Sequence, residues 1–354
     1  MKETDIHHMT GQLEEIVGHF AFRGTLAGIR PLGNGLINDT YRVETVENDE
    51  PDYVLQRINS DVFPDVDMLQ DNIGKVTRHI RGKLEADHAE DIDRKVLHFL
   101  KADTGKTYIR TDECRYWRMM VFIPRSKTYE AVTPESSYEA GRAFGNFESM
   151  LVDLQEKLGE TIPGFHNMEL RSRQLGEAVS SDPLGRAKQV RHILGRLEGD
   201  MEEMCKAERL SREGKLPKRI CHCDTKVNNM LFDEDGSVLC VIDLDTVMPS
   251  FVFSDYGDFL RTGANFVAED DPRIDRVGFN EAVFKSFTKG YIEGTSSFLT
   301  SIERENLPYA VALFPFMQCA RFLTDYINGD TYYKIKYPEH NLVRAKNQLA
   351  LYES

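Results

Sequence analysis

With 354 residues, 41% of them hydrophobic and 29% charged, the chain has the balance of a soluble globular protein and enough length for two ordinary domains. Its formal net charge of −14 repels phosphate backbones, which argues against nucleic acid as a partner and requires any polyanionic ligand to be held by local donors or a metal. No stretch approaches the roughly 18 apolar residues of a membrane span; Met1–Asp5 opens no apolar run of a secretory signal, and six scattered cysteines suit reduced thiols in a cytoplasm.

Thr10 caps an expected helix reaching Phe20. Thr25–Pro31, Ile37–Val46 and Tyr53–Ile58 read as strands, with Gly33-Asn34-Gly35 as a tight turn between the first two. Pro64-Asp65 opens a helix to about Gly82, on which Val66, Leu69, Ile73 and Val76 recur at helical spacing. Lys106–Arg110 and Arg115–Ile123 read as a further strand pair. After Pro124 the texture turns helical. Ser136–Leu154 sets Ala140, Phe144, Phe147, Met150 and Leu151 on one face, and Asp182–Leu210 is a second, charged helical stretch. Arg219–Leu244 is β again, with Asp233-Glu234-Asp235-Gly236 as a hairpin turn, and the chain is mainly helical from Phe253 onward. The expected fold is α+β and bilobal: a small N-terminal antiparallel-sheet lobe over 1–123 and a larger, mainly helical C-terminal lobe over 124–354.

The most unusual residues lie between Ile220 and Asp245: His222, Asp224, Asn229, Asp243 and Asp245. Carboxylates and amides are poor strand formers, so beside the apolar runs Met230–Phe232 and Val238–Ile242 they belong to the rim of a core. Their order suits phosphoryl transfer. One Asp accepts the proton of an attacking hydroxyl, an Asn after a tight loop offers Mg²⁺ a neutral oxygen, and an Asp on the next strand offers a charged one. A polar loop, a hairpin and a capping Asp are the plainer alternative. Cys221-His222-Cys223 lacks a second Cys or His pair at zinc-finger spacing, which argues against zinc. The glycines at Gly33 and Gly35 let backbone N–H groups approach phosphates, although two glycines in a hairpin turn are ordinary.

The run His222-Cys223-Asp224-Thr225-Lys226-Val227-Asn228-Asn229, followed by the strand-borne Ile242-Asp243, resembles the catalytic loop of the aminoglycoside phosphotransferase and choline-kinase-like superfamily. Protein kinases carry Arg before that Asp, where this chain has Cys223, and Asp-Phe-Gly where it has Asp243-Leu244-Asp245. Leu32–Tyr41, Tyr53–Asn59, Cys223–Asn229, Ile242–Pro249 and Arg321–Tyr326 resemble segments of bacterial N-acetylhexosamine 1-kinases. The resemblance implies a protein-kinase-like fold, ATP and Mg²⁺ as cofactors, and transfer of the γ-phosphate to the anomeric hydroxyl of N-acetylglucosamine or N-acetylgalactosamine. It implies Asp224 as catalytic base, Asn229 and Asp243 as magnesium ligands, Asp245 as a further ligand or an outer partner, and His222 as a brace. Gly33, Asn34 and Gly35 would face the phosphates. Arg57 would reach them from the third strand, oriented by Asp67 or Asp71, unless it is a plain surface arginine. Adenine would lie on the backbone of Met120–Ile123, including Phe122 and Ile123.

For the acceptor, the long apolar stretch Glu303–Asn328, which Pro308 and Pro315 break or kink, carries Arg321. Arg321 and Tyr332 are expected to clamp the sugar; the alternative pairs Arg321 with Asp325 one turn on. Two other readings remain: a kinase of the same superfamily acting on choline, ethanolamine, homoserine or an aminoglycoside, and a non-catalytic nucleotide-binding protein. The intact set Asp224, Asn229 and Asp243 argues against the latter.

Overall fold

Along Tyr53–Ile58, Tyr53, Leu55 and Ile58 are buried and the residues between them half-exposed, as suits a strand at the centre of a sheet. The computed structural model describes residues 3–33 and 38–354. In chain order the elements are α1 (Glu3–Gly18), β1 (Leu26–Pro31), β2 (Asp39–Thr45), β3 (Tyr53–Ile58), α2 (Val66–Ala86), α3 (Ile92–Lys95), β4 (Ile109–Arg110) and β5 (Tyr116–Val121). Then come α4 (Pro134–Leu151), α5 (Met168–Ser181), α6 (Arg191–Met204), α7 (Lys206–Arg212), β6 (Arg219–Cys221), β7 (Met230–Phe232), β8 (Val238–Val241) and β9 (Met248–Ser250). The rest is helical: α8 (Phe253–Gly263), α9 (Glu281–Gly294), α10 (Ser301–Glu305), α11 (Leu307–Asn328) and α12 (His340–Glu353).

The chain divides into two compact units. The first comprises 1–127 and 154–162; the second comprises 128–153 and 163–354. The first is built on an antiparallel sheet in the order β1-β2-β3-β5-β4, over a core of Val43, Tyr53, Leu55, Trp117 and Met119 with Leu13 and Val17 from α1. The Asp65 carboxylate caps α2 by accepting from Met68 N–H at 2.9 Å, and Leu69, Ile73, Val76 and Ile80 are its buried face. The return of 154–162 to this unit, which nothing in the composition signals, is pinned by the Asn72 amide, bonded to Gly159 N–H at 3.0 Å and Gly159 C=O at 2.8 Å.

The second unit is mainly helical, with two two-stranded sheets, β6-β9 and β7-β8. The α+β architecture thus agrees with the sequence reading, but some elements do not. The helical stretch expected over Asp182–Leu210 starts late: Asp182, left-handed at φ 31°, closes α5, Pro183 and Gly185 follow, and the helices α6 and α7 begin only at Arg191. The expected helix from Glu303 is broken at Asn306; Pro308 falls in the first turn of α11, where its missing N–H costs nothing, while Pro315 lies inside a helix that continues past it. Among the described residues no helix is long and apolar enough to cross a membrane.

The helices α4 and α9 approach each other through glycines. A Cβ on Gly141 would lie 2.2 Å from the Phe287 carbonyl oxygen, and one on Gly290 2.1 Å from that of Tyr138. Gly145 and Gly294 are nearly as tight, at 2.9 Å from the Tyr291 carbonyl and 2.7 Å from the Arg142 carbonyl. Since the obstructing atoms are backbone, a side chain there forces the helices apart. Gly290→Ala is expected to destabilise the second unit by about 1–3 kcal/mol. Gly176→Ala, on α5 with open space around it, is expected to be neutral or stabilising by up to ~1 kcal/mol. Chemical denaturation of both variants checks the contrast.

Candidate active site

The site grows from the turn after β6. Cys223 is left-handed at φ 64°, an unfavourable geometry for a side-chain-bearing residue that the surroundings must hold. They do so through Asp255 on α8: its Oδ2 accepts from His222 N–H at 2.8 Å and its Oδ1 from Cys223 N–H at 2.7 Å. Thr225 Oγ1 donates to the Asp255 carbonyl at 2.8 Å, and Thr246 Oγ1 to the His222 carbonyl at 2.8 Å. The buried His222 ring sets Nε2 2.8 Å from the Ile242 carbonyl, while Nδ1 accepts from Asp224 N–H at 3.3 Å. It thereby ties the Asp224 turn to the end of β8.

Asp224 is partly buried. Burial pushes its carboxyl up, but the Lys226 ammonium at 2.7 Å, the His222 ring and the Asn229 amide outweigh this and hold it below the ordinary aspartate range. Asn229 Nδ2 donates to the Asp224 carbonyl at 2.7 Å and to its Oδ2 at 3.2 Å, so Oδ1 is the atom Asn229 has to offer elsewhere. Ile242 N–H bonds the Asn229 carbonyl at 2.9 Å, which brings Asn229 beside Asp243. Asp243 is exposed and left-handed, φ 59°, and opens a short turn over Leu244–Thr246. Asp245, by contrast, is 2% exposed and engaged within the fold. The Asp243 carboxylate and the Asn229 amide oxygen are donor types suited to a hard divalent cation such as Mg²⁺. The residues Asp224, Asn229, Asp243 and Asp245 are therefore assembled by one turn and one hairpin.

Charges continue outward from Asp224. Burial lowers and the Asp224 and Asp258 charges raise Lys226, which ends above the usual lysine range. Asp258 pairs with Arg261 at 3.0 Å, Arg261 with Glu269 at 2.6 Å, and Glu269 with Arg344 at 3.6 Å. The Arg344 guanidinium lies 5.9 Å from the Tyr333 ring centre, and that of Arg321 lies 5.6 Å from it and 5.0 Å from Phe165. Arg321 also donates to Gln318 at 2.8 Å. Arg171 is spent on the Gly164 and Phe165 carbonyls and on Gln174. Among the described residues no carboxylate pairs with either Arg171 or Arg321. Burial, and then the Arg321 and Arg171 charges, hold His166 well below the ordinary range, so it is neutral, with Nδ1 3.0 Å from Ser254 Oγ. Tyr333 Oη and Arg344 Nε are enclosed without a partner.

Here the sequence reading needs correcting. The aromatic rings against Arg321 are Phe165 and Tyr333; Tyr332 is 60% exposed, its ring 4.8 Å from that of Tyr333. The alternative pairing with Asp325 does not form either. Asp325 accepts the N–H groups of Thr331, Tyr332 and Tyr333 at 2.8–2.9 Å, shaping the loop that delivers the tyrosines. Missed in the sequence were Asp255, Lys226, Asp258 and Tyr333. The signal for Asp255 and Asp258 was present: two acids three apart between Phe251-Val252-Phe253 and Phe259-Leu260, where a buried charge demands a partner.

In the first unit Gly33 has φ 71° and open space around it, while Asn34 and Gly35 lie outside the described residues. Arg57 pairs with Asp39 across β2 and β3. Neither expected carboxylate orients it: Asp67 accepts from Tyr108 at 2.6 Å and Lys106 at 2.8 Å, and Asp71 pairs with Lys75 at 2.6 Å. At the end of β5, Phe122 N–H bonds the Asp52 carbonyl at 2.9 Å and the Ile123 carbonyl accepts from Ser126 at 2.7 Å. The Ile123 N–H and Phe122 carbonyl are the groups left outside these bonds.

Residues 28–285 match the family model described as phosphotransferase enzyme family. The chain is similar to the solved structure of amicoumacin kinase hAmiN in complex with AMP-PNP, Ca²⁺ and Ami: 12% identity, TM-score 0.59, covering 99% of this chain and 96% of that one. It is similar to the microcompartment-associated aminopropanol kinase, at 16% identity and TM-score 0.56 over 96% and 94% of the two chains. It is similar to choline kinase LicA from Streptococcus pneumoniae, at 12% identity and TM-score 0.50 over 98% of each. At such identities the likeness is one of fold, and it makes the fold protein-kinase-like.

Proposed function

We propose, from the premise that this chain belongs to the phosphotransferase enzyme family, that it is an ATP-dependent sugar 1-kinase. The acceptor is the anomeric hydroxyl of an N-acetylhexosamine, N-acetylglucosamine or N-acetylgalactosamine. The observation that carries a phosphotransfer reading is Asp224, kept ionised beside Lys226 and Asn229 on a turn braced by Asp255. Asp224 takes the proton of the attacking hydroxyl as the γ-phosphoryl group is transferred. Lys226 holds that carboxylate in place and adds positive charge beside it. Asn229 Oδ1 and Asp243 are the ligands for Mg²⁺, which supplies charge against the phosphate oxygens; Asp245 is an outer partner. On the first unit, Gly33 and its turn, Arg57, Phe122 and Ile123 are the nucleotide contacts, with the Ile123 N–H and Phe122 carbonyl reading adenine. The six cysteines are all free thiols, which suits a cytoplasmic enzyme.

The region around Arg321 favours a neutral acceptor over a cationic one. Arg171 and Arg321 are not neutralised by carboxylates, which opposes an ammonium such as the aminopropanol and choline kinases meet in their substrates. Tyr333 Oη and Arg344 Nε, enclosed and unpartnered, suit the hydroxyls and carbonyl of an N-acetyl sugar. A panel of N-acetylhexosamines, amino alcohols and aminoglycosides, assayed by ADP release, tests this. Turnover is expected with the sugars alone, giving an acid-labile 1-phosphate. An acid-stable sugar phosphate would move the reaction to a primary hydroxyl; turnover with choline and not sugars would replace the acceptor.

A further inference from the structure

Two carboxyl groups are buried side by side behind the Cys223–Asp224 turn. Glu148 on α4 is 2% exposed and Asp255 on α8 is 0% exposed. An oxygen of each and Cys221 Sγ lie within 4.8 Å of one another. Asp255 spends its charge on the two backbone N–H groups of His222 and Cys223. Glu148 Oε2 accepts from the Tyr291 hydroxyl on α9 at 2.7 Å, an approach that the glycine-lined α4–α9 contact permits. Glu148 Oε1 is buried without a hydrogen-bond partner.

Among the described residues no Lys or Arg forms an ion pair with either carboxyl. Tyr291 is neutral, and burial holds the Cys221 thiol protonated, with its Sγ on the Phe251 carbonyl at 3.3 Å. His222 Nδ1 accepts from the Asp224 N–H, and Arg219 on β6 is committed to Glu303 at 2.9 Å. Two adjacent anions in such a place would be held at heavy cost, with one oxygen still unsatisfied. One proton on Oε1 removes both faults: the repulsion ends, and the orphan oxygen becomes a donor facing Asp255.

We propose that Glu148 is a protonated positioning residue, whose Oε1–H donates to Asp255 and so fixes the carboxylate that holds the Asp224 turn. Burial, and then the Asp255 charge, drive the Glu148 carboxyl well above the ordinary range, in keeping with this. The kinetic part of the proposal rests on Asp224 as the base; the proton itself is read without activity.

The test compares the parent with Glu148→Gln and Glu148→Leu. Glutamine keeps both bonds, its amide donating to Asp255 and its carbonyl accepting from Tyr291. Infrared spectra at neutral pH are expected to show a protonated-carboxyl band in the parent that Glu148→Gln lacks. Folding takes up a proton here that the unfolded chain has released, so parent stability falls as pH rises above the ordinary glutamate range. The melting-temperature difference between Glu148→Gln and the parent should therefore widen in the variant's favour with pH. Glu148→Leu should lose roughly 10-fold or more in kcat at unchanged KM for MgATP, with Glu148→Gln restoring most of it. A parent spectrum without that band, a stoichiometric metal ion that departs in Glu148→Gln, or a glutamine variant as impaired as leucine overturns the proposal. If Glu148→Leu does not fold, the infrared band and the pH trend of Glu148→Gln still decide it. A dead Asp224 turn with the band intact would fault the kinase reading instead.

Discussion

Asp224→Asn is expected to lower kcat by roughly 10²–10⁴-fold, the range typical of losing a positioned general base, while MgATP affinity stays close to that of the parent. The substitution is nearly isosteric. The backbone carbonyl of Asp224 still accepts from Asn229 Nδ2, so that part of the turn survives. What disappears is the group proposed to take the acceptor proton and the negative partner of Lys226. Because Lys226, His222 and Asn229 hold the Asp224 carboxyl below the ordinary range against burial, the parent's base is ionised throughout the neutral region. The acid limb of its kcat profile should therefore lie below the ordinary aspartate range. The stabilisation tied to that depressed carboxyl is present at neutral pH and is lost as pH falls through the folded-state value. Stopped-time ADP release and MgATP titration measure the two effects separately. A variant with near-parental kcat would remove Asp224 from the chemistry.

The chain shows unevenly how structure is written in sequence. The Asp224 turn was legible because its residues are local: Asp224, Asn229 and Asp243 are joined by one turn and a hairpin whose Asp233–Gly236 connection is plain in the sequence. β3 and α2 were legible because period-2 and helical patterns survive without tertiary context. The support behind the turn was not, since Glu148, Asp255 and Tyr291 come from three helices that only packing brings together. The carboxylate facing Arg57 was sought on the following helix and found on the neighbouring strand, because antiparallel register sets Asp39 opposite Arg57. The choice between Tyr332 and Tyr333 was likewise beyond the sequence. The two tyrosine rings pack edge to face, Tyr332 outermost, and the three N–H bonds to Asp325 shape the loop that sets Tyr333 toward Arg321.

Asp243→Ala should cost at least about 100-fold in kcat/KM, because losing even an outer partner of a metal ligand typically costs 10–100-fold. The expectation follows from the contrast between the two acids of the turn. Asp243 is exposed in a left-handed conformation beside Asn229, whereas Asp245 is buried at 2% exposure. Exposure lets Asp243 meet an ion without first paying the desolvation that Asp245 has already undergone. Asp245→Asn should accordingly show its main loss in thermal stability, with a weaker loss of metal affinity. Asn229→Ala removes both a neutral ligand and the amide that holds Asp224, so it should lower kcat as well as metal affinity. Raising Mg²⁺ or supplying Mn²⁺ should recover the affinity part alone. Titrating the divalent ion against MgATP binding, by calorimetry on each variant, separates these roles. If Asp243→Ala binds MgATP as the parent does and Asp245→Asn does not, the ligand is Asp245, and the turn must open to expose it.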